Sequence, residues 1–469
     1  MAGIGFVLER IVERHGIRGI ARVAVVGVLV VAGPWLITSL TLGVVGVVAA
    51  ARGLDLTLFF GVVVYVFAGT LVVTSGYHYR FTRVVADLLY QKRYDRMIAW
   101  FDRASGVSGA IGVALGVGIA LFGRLDLPTS AIVVVMTAVV AVSWIAMLMV
   151  SILSDFRAIV AAYAVGGLVA AGIIVPVLLL SSVPSAATRG GLLGFTTGTA
   201  VVTVYLSVSI RRTMTARSRL PATGTPVRSV ADPGLSIPFS TLPPATLRRI
   251  GLVGTLLTAI LWVDKIVYWV AFGAPVGGSG LVLLPRYDIL VFVSQLLLVP
   301  AMVFFAVRVE TALFRGVRGT LRAIRGGTYR EVELRRRDLS SHLDGLFTAQ
   351  CGLAVVAVAV AWMLSPEIAG AGGAVVFMRV VLASQLYFLM YASVVTLLYL
   401  SDYRGVLAVL TIVAGVATAG AVITAVWGAP ADAGRSYMVA AGFGAVLAWR
   451  LQRNRLRNMD RYLLTRALL

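Results

Sequence analysis

The sequence predicts an all-α polytopic membrane protein, with about twelve transmembrane helices in two six-helix lobes and both termini cytoplasmic. Three observations predict it. Of 469 residues, 59% are hydrophobic and 13% are charged, where soluble domains average about 45–50% apolar and about 25% charged. The apolar residues gather in twelve blocks, most of them near the roughly 20 residues that a helix needs to cross hydrocarbon. The basic residues fall between the blocks and favour alternate gaps. Together these exclude a disordered chain, a collagen-like repeat and an ordinary soluble enzyme.

The blocks run 22–50, 56–78, 106–123, 129–153, 158–181, 190–210, 250–272, 287–308, 345–364, 373–400, 404–427 and 435–450. The first is long, and Gly33-Pro34 predicts a break in it, because proline removes a backbone donor and crowds the preceding turn. Residues 1–21 mix Glu9 and Glu13 with Arg10, Arg14 and Arg18. The apolar stretch behind them exceeds the roughly 7–15 residues of a signal-peptide core, so the start reads as uncleaved. Residues 211–249 contain Pro221, Pro226, Pro233, Pro238, Pro243 and Pro244 among Ser, Thr and Gly. They read as a flexible cytoplasmic linker between lobes at 1–210 and 250–469. Six spans on either side suggest an internal structural repeat, a suggestion that rests on span count alone.

Thirty-four of the 41 basic residues lie in the N-terminus, alternate loops and the C-terminal tail, and five lie in the opposite loops. Lys265 and Arg379 fall inside spans. That bias places the linker and both termini in the cytoplasm. It also explains the net charge of +21 as topology and attraction to the anionic lipid bilayer, with no nucleic-acid partner expected.

Sites of chemistry are sparse. The single cysteine, Cys351, sits in an apolar run, so no intrachain disulfide is possible and a small buried hydrophobe is expected. His15, His78 and His342 are far apart in sequence and read as solvated or interfacial residues, with His78 near a span end. Only Lys92 and Lys265 are lysines, neither in a phosphate-loop motif, and no HExxH occurs. No catalytic residue, metal site or cofactor is predicted.

After the eighth span Val309, Leu313, Phe314, Val317, Leu321 and Ile324 recur at helical spacing, interleaved with Arg315, Arg318, Arg322 and Arg325. This predicts a basic amphipathic helix around 309–325, ended by Gly326-Gly327 and lying in the cytoplasmic interface. It would anchor to lipid or present its arginines to a cytoplasmic partner.

Charges inside spans are expensive and usually functional. Asp264 and Lys265 lie about 8 residues, roughly 12 Å, from the predicted outer end of the seventh span, and Arg379 about 6 residues, roughly 9 Å, from that of the tenth. The matching depths predict that Asp264 meets Arg379, or shares a hydrated vestibule with it, while Lys265 diverges from Asp264 by about 100°. Arg286 and Asp288 open the eighth span at the same level. Trp262, Tyr268, Trp269 and Tyr387 sit near this charged network, and Gln385, with Gln295, Gln350 and Ser384, either lines a wet path or hydrogen-bonds between helices. Thr196, Thr197, Thr199 and Thr203 lie beside Gly190, Gly194 and Gly198, whose spacing predicts close helix packing.

These residues also carry a resemblance. MAGIGF at 1–6, GPW at Gly33–Trp35, WVDKIVYWVAFG at 262–273, Tyr287-Asp288, VPAMVFFAVRVET at 299–311 and, more weakly, YLSDYR around 400–404 resemble the PelG family in order and spacing. PelG proteins are inner-membrane transporters of Pel exopolysaccharide in the polysaccharide-transport branch of the MOP flippase superfamily. The resemblance implies a MOP/MATE-like fold and a polymer rich in N-acetylgalactosamine, moved through a cavity between two helical lobes, with Trp262, Tyr268, Trp269 and Tyr387 as candidates for stacking on its sugar rings or for lipid-facing and interfacial positions. It implies as partners a cytoplasmic Pel glycosyltransferase and membrane Pel proteins, one of which senses cyclic di-GMP. The rival expectations are a small-molecule, drug or lipid-linked oligosaccharide antiporter of the same superfamily, and a membrane scaffold for the synthase.

Overall fold

In the computed structural model, which describes residues 27–29, 32–219 and 242–459, several helices start where the sequence supplies an acceptor or a proline. Helix α1 (Gly33–Ala51) begins at the expected Gly33-Pro34 break, after a turn at Ala32. It is followed by α2 (Thr57–Tyr90), α3 (Tyr94–Phe122), α4 (Leu127–Ile152), α5 (Phe156–Leu180) and α6 (Pro184–Arg219). Asp126 caps α4: its carboxylate accepts the Thr129 hydroxyl at 2.7 Å and an ion pair from Arg189 at 2.9 Å. The Thr129 hydrogen bond in particular holds that carboxyl below the usual carboxylate range.

Helix α7 (Pro244–Phe272) leads into a two-stranded hairpin, β1 (Ala274–Pro275) and β2 (Val282–Leu283). The predicted eighth span is not one straight helix. It runs as α8 (Pro285–Leu296), α9 (Val299–Phe304), a π-turn at Phe305–Val309 and α10 (Glu310–Gly326). Pro300 removes a donor just after the first break, and the π-turn inserts a residue before the basic segment. Helix α11 (Tyr329–Gly370) starts well before its apolar block, capped by Thr328, whose hydroxyl accepts the Glu331 N–H at 3.3 Å. Gly370, at φ 62° and ψ 177°, separates it from α12 (Gly372–Tyr399), a conformation that other residues adopt only under strain. Helices α13 (Tyr403–Trp427) and α14 (Arg435–Arg457) complete the chain as described.

Among the described residues eleven helices are long and apolar enough to cross a membrane. The twelfth block forms α14, which carries Arg435, Arg450, Arg453, Arg455 and Arg457 and is too polar to join them. The linker is shorter at both ends than its composition suggested, because α6 continues to Arg219 and α7 starts at Pro244. Residues 1–6 and most of the proline-rich stretch lie outside the described residues.

The helices pack as two units. One comprises Gly33–Thr258 with Pro275–Val282, and the other includes Ala259–Ala274 and Leu283 onward. The boundary thus falls inside α7 instead of at the linker. In the first unit Phe59, Val62, Val66, Met136, Ile174 and Phe195 form one core cluster, and Val85, Met97, Phe101, Ile145, Met149 and Leu206 another. The glycine stripe of α6 does pack closely: a Cβ on Gly198 would stand 2.5 Å from the Gly166 carbonyl oxygen of α5. The neighbouring threonines bond their own helix, with Thr196, Thr199 and Thr203 each donating to the carbonyl four residues back. In the second unit the core is built from Tyr268, Tyr287, Phe377, Val380, Val381 and Ala421.

Each unit repeats one turn. Leu153-Ser154-Asp155-Phe156-Arg157 joins α4 to α5, and Leu400-Ser401-Asp402-Tyr403-Arg404 joins α12 to α13. Both serines take a left-handed φ, 62° and 59°. Both aspartates cap the next helix, Asp155 accepting the Ala158 N–H at 3.2 Å and Asp402 the Gly405 N–H at 3.0 Å. Each also reaches the last helix of its own half, Asp155 to Ser209 at 3.4 Å and Asp402 to Arg455 at 2.6 Å. The suggested repeat therefore has a sequence signature that span counting missed.

Candidate functional site

Helix α7 places two sets of side chains on adjacent faces. Asp264 and Tyr268 are four apart, and Trp262, Lys265 and Trp269 follow at three and four. Asp264 is 1% exposed. Its Oδ2 accepts a short hydrogen bond from the Tyr287 hydroxyl of α8, and its Oδ1 accepts the Lys265 backbone N–H at 2.8 Å. The Lys265 chain runs back toward the helix N-terminus, as long helical side chains do. Its ammonium donates to the Leu261 carbonyl at 2.7 Å and stands 4.0 Å from Asp264 Oδ1.

Aromatic rings surround that ammonium. It lies 5.1 Å from the Trp262 ring centroid and 5.7 Å from that of Tyr437 on α14, within cation–π range. Trp262 meets Trp269 edge-on at 6.2 Å, and Trp269 donates its indole N–H to Asp288 at 2.9 Å. Asp288 also accepts the Leu284 N–H at 3.2 Å. Tyr268 shares a 2.7 Å hydrogen bond with Ser436 and meets the Tyr287 ring at 5.6 Å. Tyr387 joins through the Tyr437 ring at 6.2 Å.

The expected Asp264–Arg379 pair does not form. Arg379 donates to the Ala431 carbonyl at 2.8 Å in the turn before α14, because that carbonyl lies close to α12 while Asp264 is already satisfied by Tyr287 and its own neighbour. Lys265 does not diverge fully from Asp264, since its four-carbon stem bends back. Arg286 is exposed and stays apart from the carboxylates. It lines a groove of about 670 Å³ with Leu284, Tyr287, Gly370, Gly373 and Ala431. The Asp264 carboxylate is therefore enclosed, and Tyr287 is the side chain that both lines the groove and bonds it.

Gln385 is buried and donates to the Leu297 carbonyl at 3.4 Å, while Ser384 takes hydrogen bonds with Ser294 at 3.0 Å and Gln295 at 3.3 Å. These polar groups join α8 to α12, the second of the two readings that the sequence left open. His78 is buried in α2, not solvated, and Cys351 is partly exposed, not buried. Sequence reasoning missed Tyr287, Ser436 and Tyr437 as site residues. Tyr287 had a signal, as the first residue of the Tyr287-Asp288 pair; Ser436 and Tyr437 had none.

Arg315, Arg318 and Arg322 of α10 are exposed along a second groove, and the side chain of Arg325 is outside the described set. Part of the apolar face of α10 is covered: Leu313 and Val317 pack in one cluster with Leu339, Leu343, Leu400 and Leu456.

The model of the PelG family, exopolysaccharide exporters (EPS-E), matches residues 1–463. No curated protein matches the chain in sequence. Solved structures share the fold. A multidrug resistance MATE family transporter of the MOP superfamily in its outward-facing conformation has a TM-score of 0.57 at 11% identity, covering 94% of this chain and 96% of that one. A MATE protein in the bent conformation gives 0.57 at 12% identity, covering 96% and 97%. A MOP superfamily transporter from Pyrococcus furiosus gives 0.56 at 12% identity, covering 92% and 96%.

Proposed function

This chain belongs to the PelG family of exopolysaccharide exporters, multi-pass membrane transporters of the MOP fold, and on that premise we propose that it moves an N-acetylgalactosamine-rich, Pel-like polymer across the cytoplasmic membrane. It acts with a cytoplasmic glycosyltransferase and membrane Pel proteins, one of them a cyclic di-GMP sensor. A sugar polymer cannot cross lipid unaided, because removing each unpaired hydroxyl or amide from water costs roughly 2–7 kcal/mol. A transporter must replace that water.

The observation that carries the proposal is the enclosed Asp264. A carboxylate 1% exposed among apolar helices is costly to keep and is a functional group by default in a membrane protein. Tyr287 connects it to the groove that Arg286 lines. Asp264 is the buried charge on which transport depends, and moving one elementary charge through the membrane potential supplies about 2.3 kcal/mol per 100 mV. Tyr287 is the element through which the groove senses that charge. Trp262 and Trp269 hold the ammonium of Lys265 and the carboxylate of Asp288, so they support the coupling site and do not stack on sugars directly.

Asp264→Asn tests this. The variant is expected to insert at wild-type level and to secrete at least about tenfold less polymer, a barrier increase of about 1.4 kcal/mol. Wild-type secretion at wild-type protein level would exclude the carboxylate from transport. The shared fold with a multidrug MATE protein favours one other reading, a small-molecule antiporter. Dye efflux from vesicles that lack any synthase would support that reading, and its absence alongside polymer accumulation in a deletion strain supports the exporter.

A further inference from the structure

Four arginines converge on one groove that neither the fold nor the transport site uses. Arg315, Arg318 and Arg322 of α10 and Arg335 of α11 line a cavity of about 650 Å³, with Phe314, Gly326 and Gly327 among its walls and Glu331 as its one carboxylate. All four arginines are exposed. Among the described residues Arg318, Arg322 and Arg335 enter no ion pair, whereas Arg336 and Arg337 close by are both paired with Glu333. A cavity with three uncompensated guanidinium groups repels cations and attracts an anion of higher charge density than one carboxylate supplies.

We propose that this groove binds the phosphate headgroup of an anionic phospholipid. The guanidinium fork matches phosphate oxygens bidentately. Helix α10 continues, through the π-turn, from the apolar run of α8 and α9, so the first arginine of the groove, Arg315, stands about 9 Å along the helix from the end of that turn. Its apolar wall at Phe314 suits the glycerol and upper acyl carbons that adjoin a headgroup. The opposite face of α10 is buried on Leu339, Leu343 and Leu400. Leu313 and Val317 are thus withheld from the bilayer, and the groove's arginines are the groups left to meet a headgroup. This inference depends on the membrane assignment and not on the identity of the polymer.

The test uses the full-length protein in phosphatidylcholine nanodiscs with and without phosphatidylglycerol, with retained lipid counted by native mass spectrometry. Each basic residue near an anionic surface is worth enough that Arg318→Gln, Arg322→Gln and Arg335→Gln together are expected to weaken phosphatidylglycerol retention by about a hundredfold. The charge-matched control Arg96→Gln, Arg212→Gln and Arg248→Gln, three exposed arginines outside the groove, is expected to retain it. Equal retention by the triple variant and the wild type overturns the proposal. So does binding of soluble glycerol phosphate as tightly as the lipid, which would assign the groove to a soluble phosphate compound. Where the glutamine variant does not fold, Arg→Lys at the same three positions keeps the charge and loses the fork; it is expected to bind about tenfold more weakly, and unchanged binding there also overturns the proposal.

Discussion

At the scale of single residues, Asp264 stays buried because three groups share its stabilisation: the Tyr287 hydroxyl, a backbone N–H and the nearby Lys265 ammonium. Breaking a buried ion pair by removing one partner costs about 3–5 kcal/mol, whereas removing both charges is often close to neutral. Lys265→Met is therefore expected to lower the unfolding midpoint in detergent sharply, and Asp264→Asn in the same chain to restore part of the loss. A double mutant less stable than Lys265→Met alone would contradict the pairing. Tyr287→Phe removes a single donor to a carboxylate, a loss of about 1.5–3 kcal/mol. Secretion assays should show the Tyr287→Phe defect approaching that of Asp264→Asn, while Tyr268→Phe, whose hydroxyl goes to Ser436, leaves secretion nearer to wild type. The sequence announced Asp264 and Lys265 as charges within an apolar block. It gave no means to see Tyr437, because an aromatic residue at a helix start carries no pattern that distinguishes a cation–π partner from an ordinary interfacial ring.

At the scale of elements, the two Leu-Ser-Asp turns are alike in backbone and unlike in energetics. An Asp N-cap replaced by Ala costs about 0.5–2 kcal/mol. Asp402 caps α13 and also holds Arg455 at 2.6 Å, with its own side chain 4% exposed, whereas Asp155 adds only a 3.4 Å contact with Ser209. Asp402→Ala is thus expected to destabilise more than Asp155→Ala, by a margin that thermal unfolding of the two variants measures; an equal or reversed order would show that the Arg455 contact contributes little. The order of the apolar helices was legible from the apolar blocks and Pro34 marks the start of α1, but α2 runs on to Tyr90 and α3 starts at Tyr94, well outside blocks 56–78 and 106–123. The division of the eighth span was not legible, because a π-turn leaves no compositional mark. Nor was the long start of α11, whose first turns are polar and read as loop by hydropathy although Thr328 caps them.

At the scale of the whole molecule, the distribution of 41 basic residues predicts an orientation that the helices alone do not fix. In a Cys351→Ala background, Ser229→Cys in the linker is expected to react with membrane-impermeant maleimide only after the cells are opened, and Arg52→Cys, between α1 and α2, in intact spheroplasts. The opposite pattern would invert the topology and move the arginine groove to the far side of the membrane.

The sequence by itself determined that this chain is a helical membrane protein with about twelve spans, because burial in lipid demands long apolar blocks and leaves basic residues between them. It also determined which charges are costly, since a charge is conspicuous in an apolar run. Only the tertiary structure decided who pairs with whom. Asp264 took Tyr287 and not Arg379, and Leu313 and Val317 of α10 took Leu339 and Leu343. Depth along a helix fixes one coordinate of a side chain, but rotation about the helix axis and the choice of neighbouring helix are set by packing, which one-dimensional spacing does not contain.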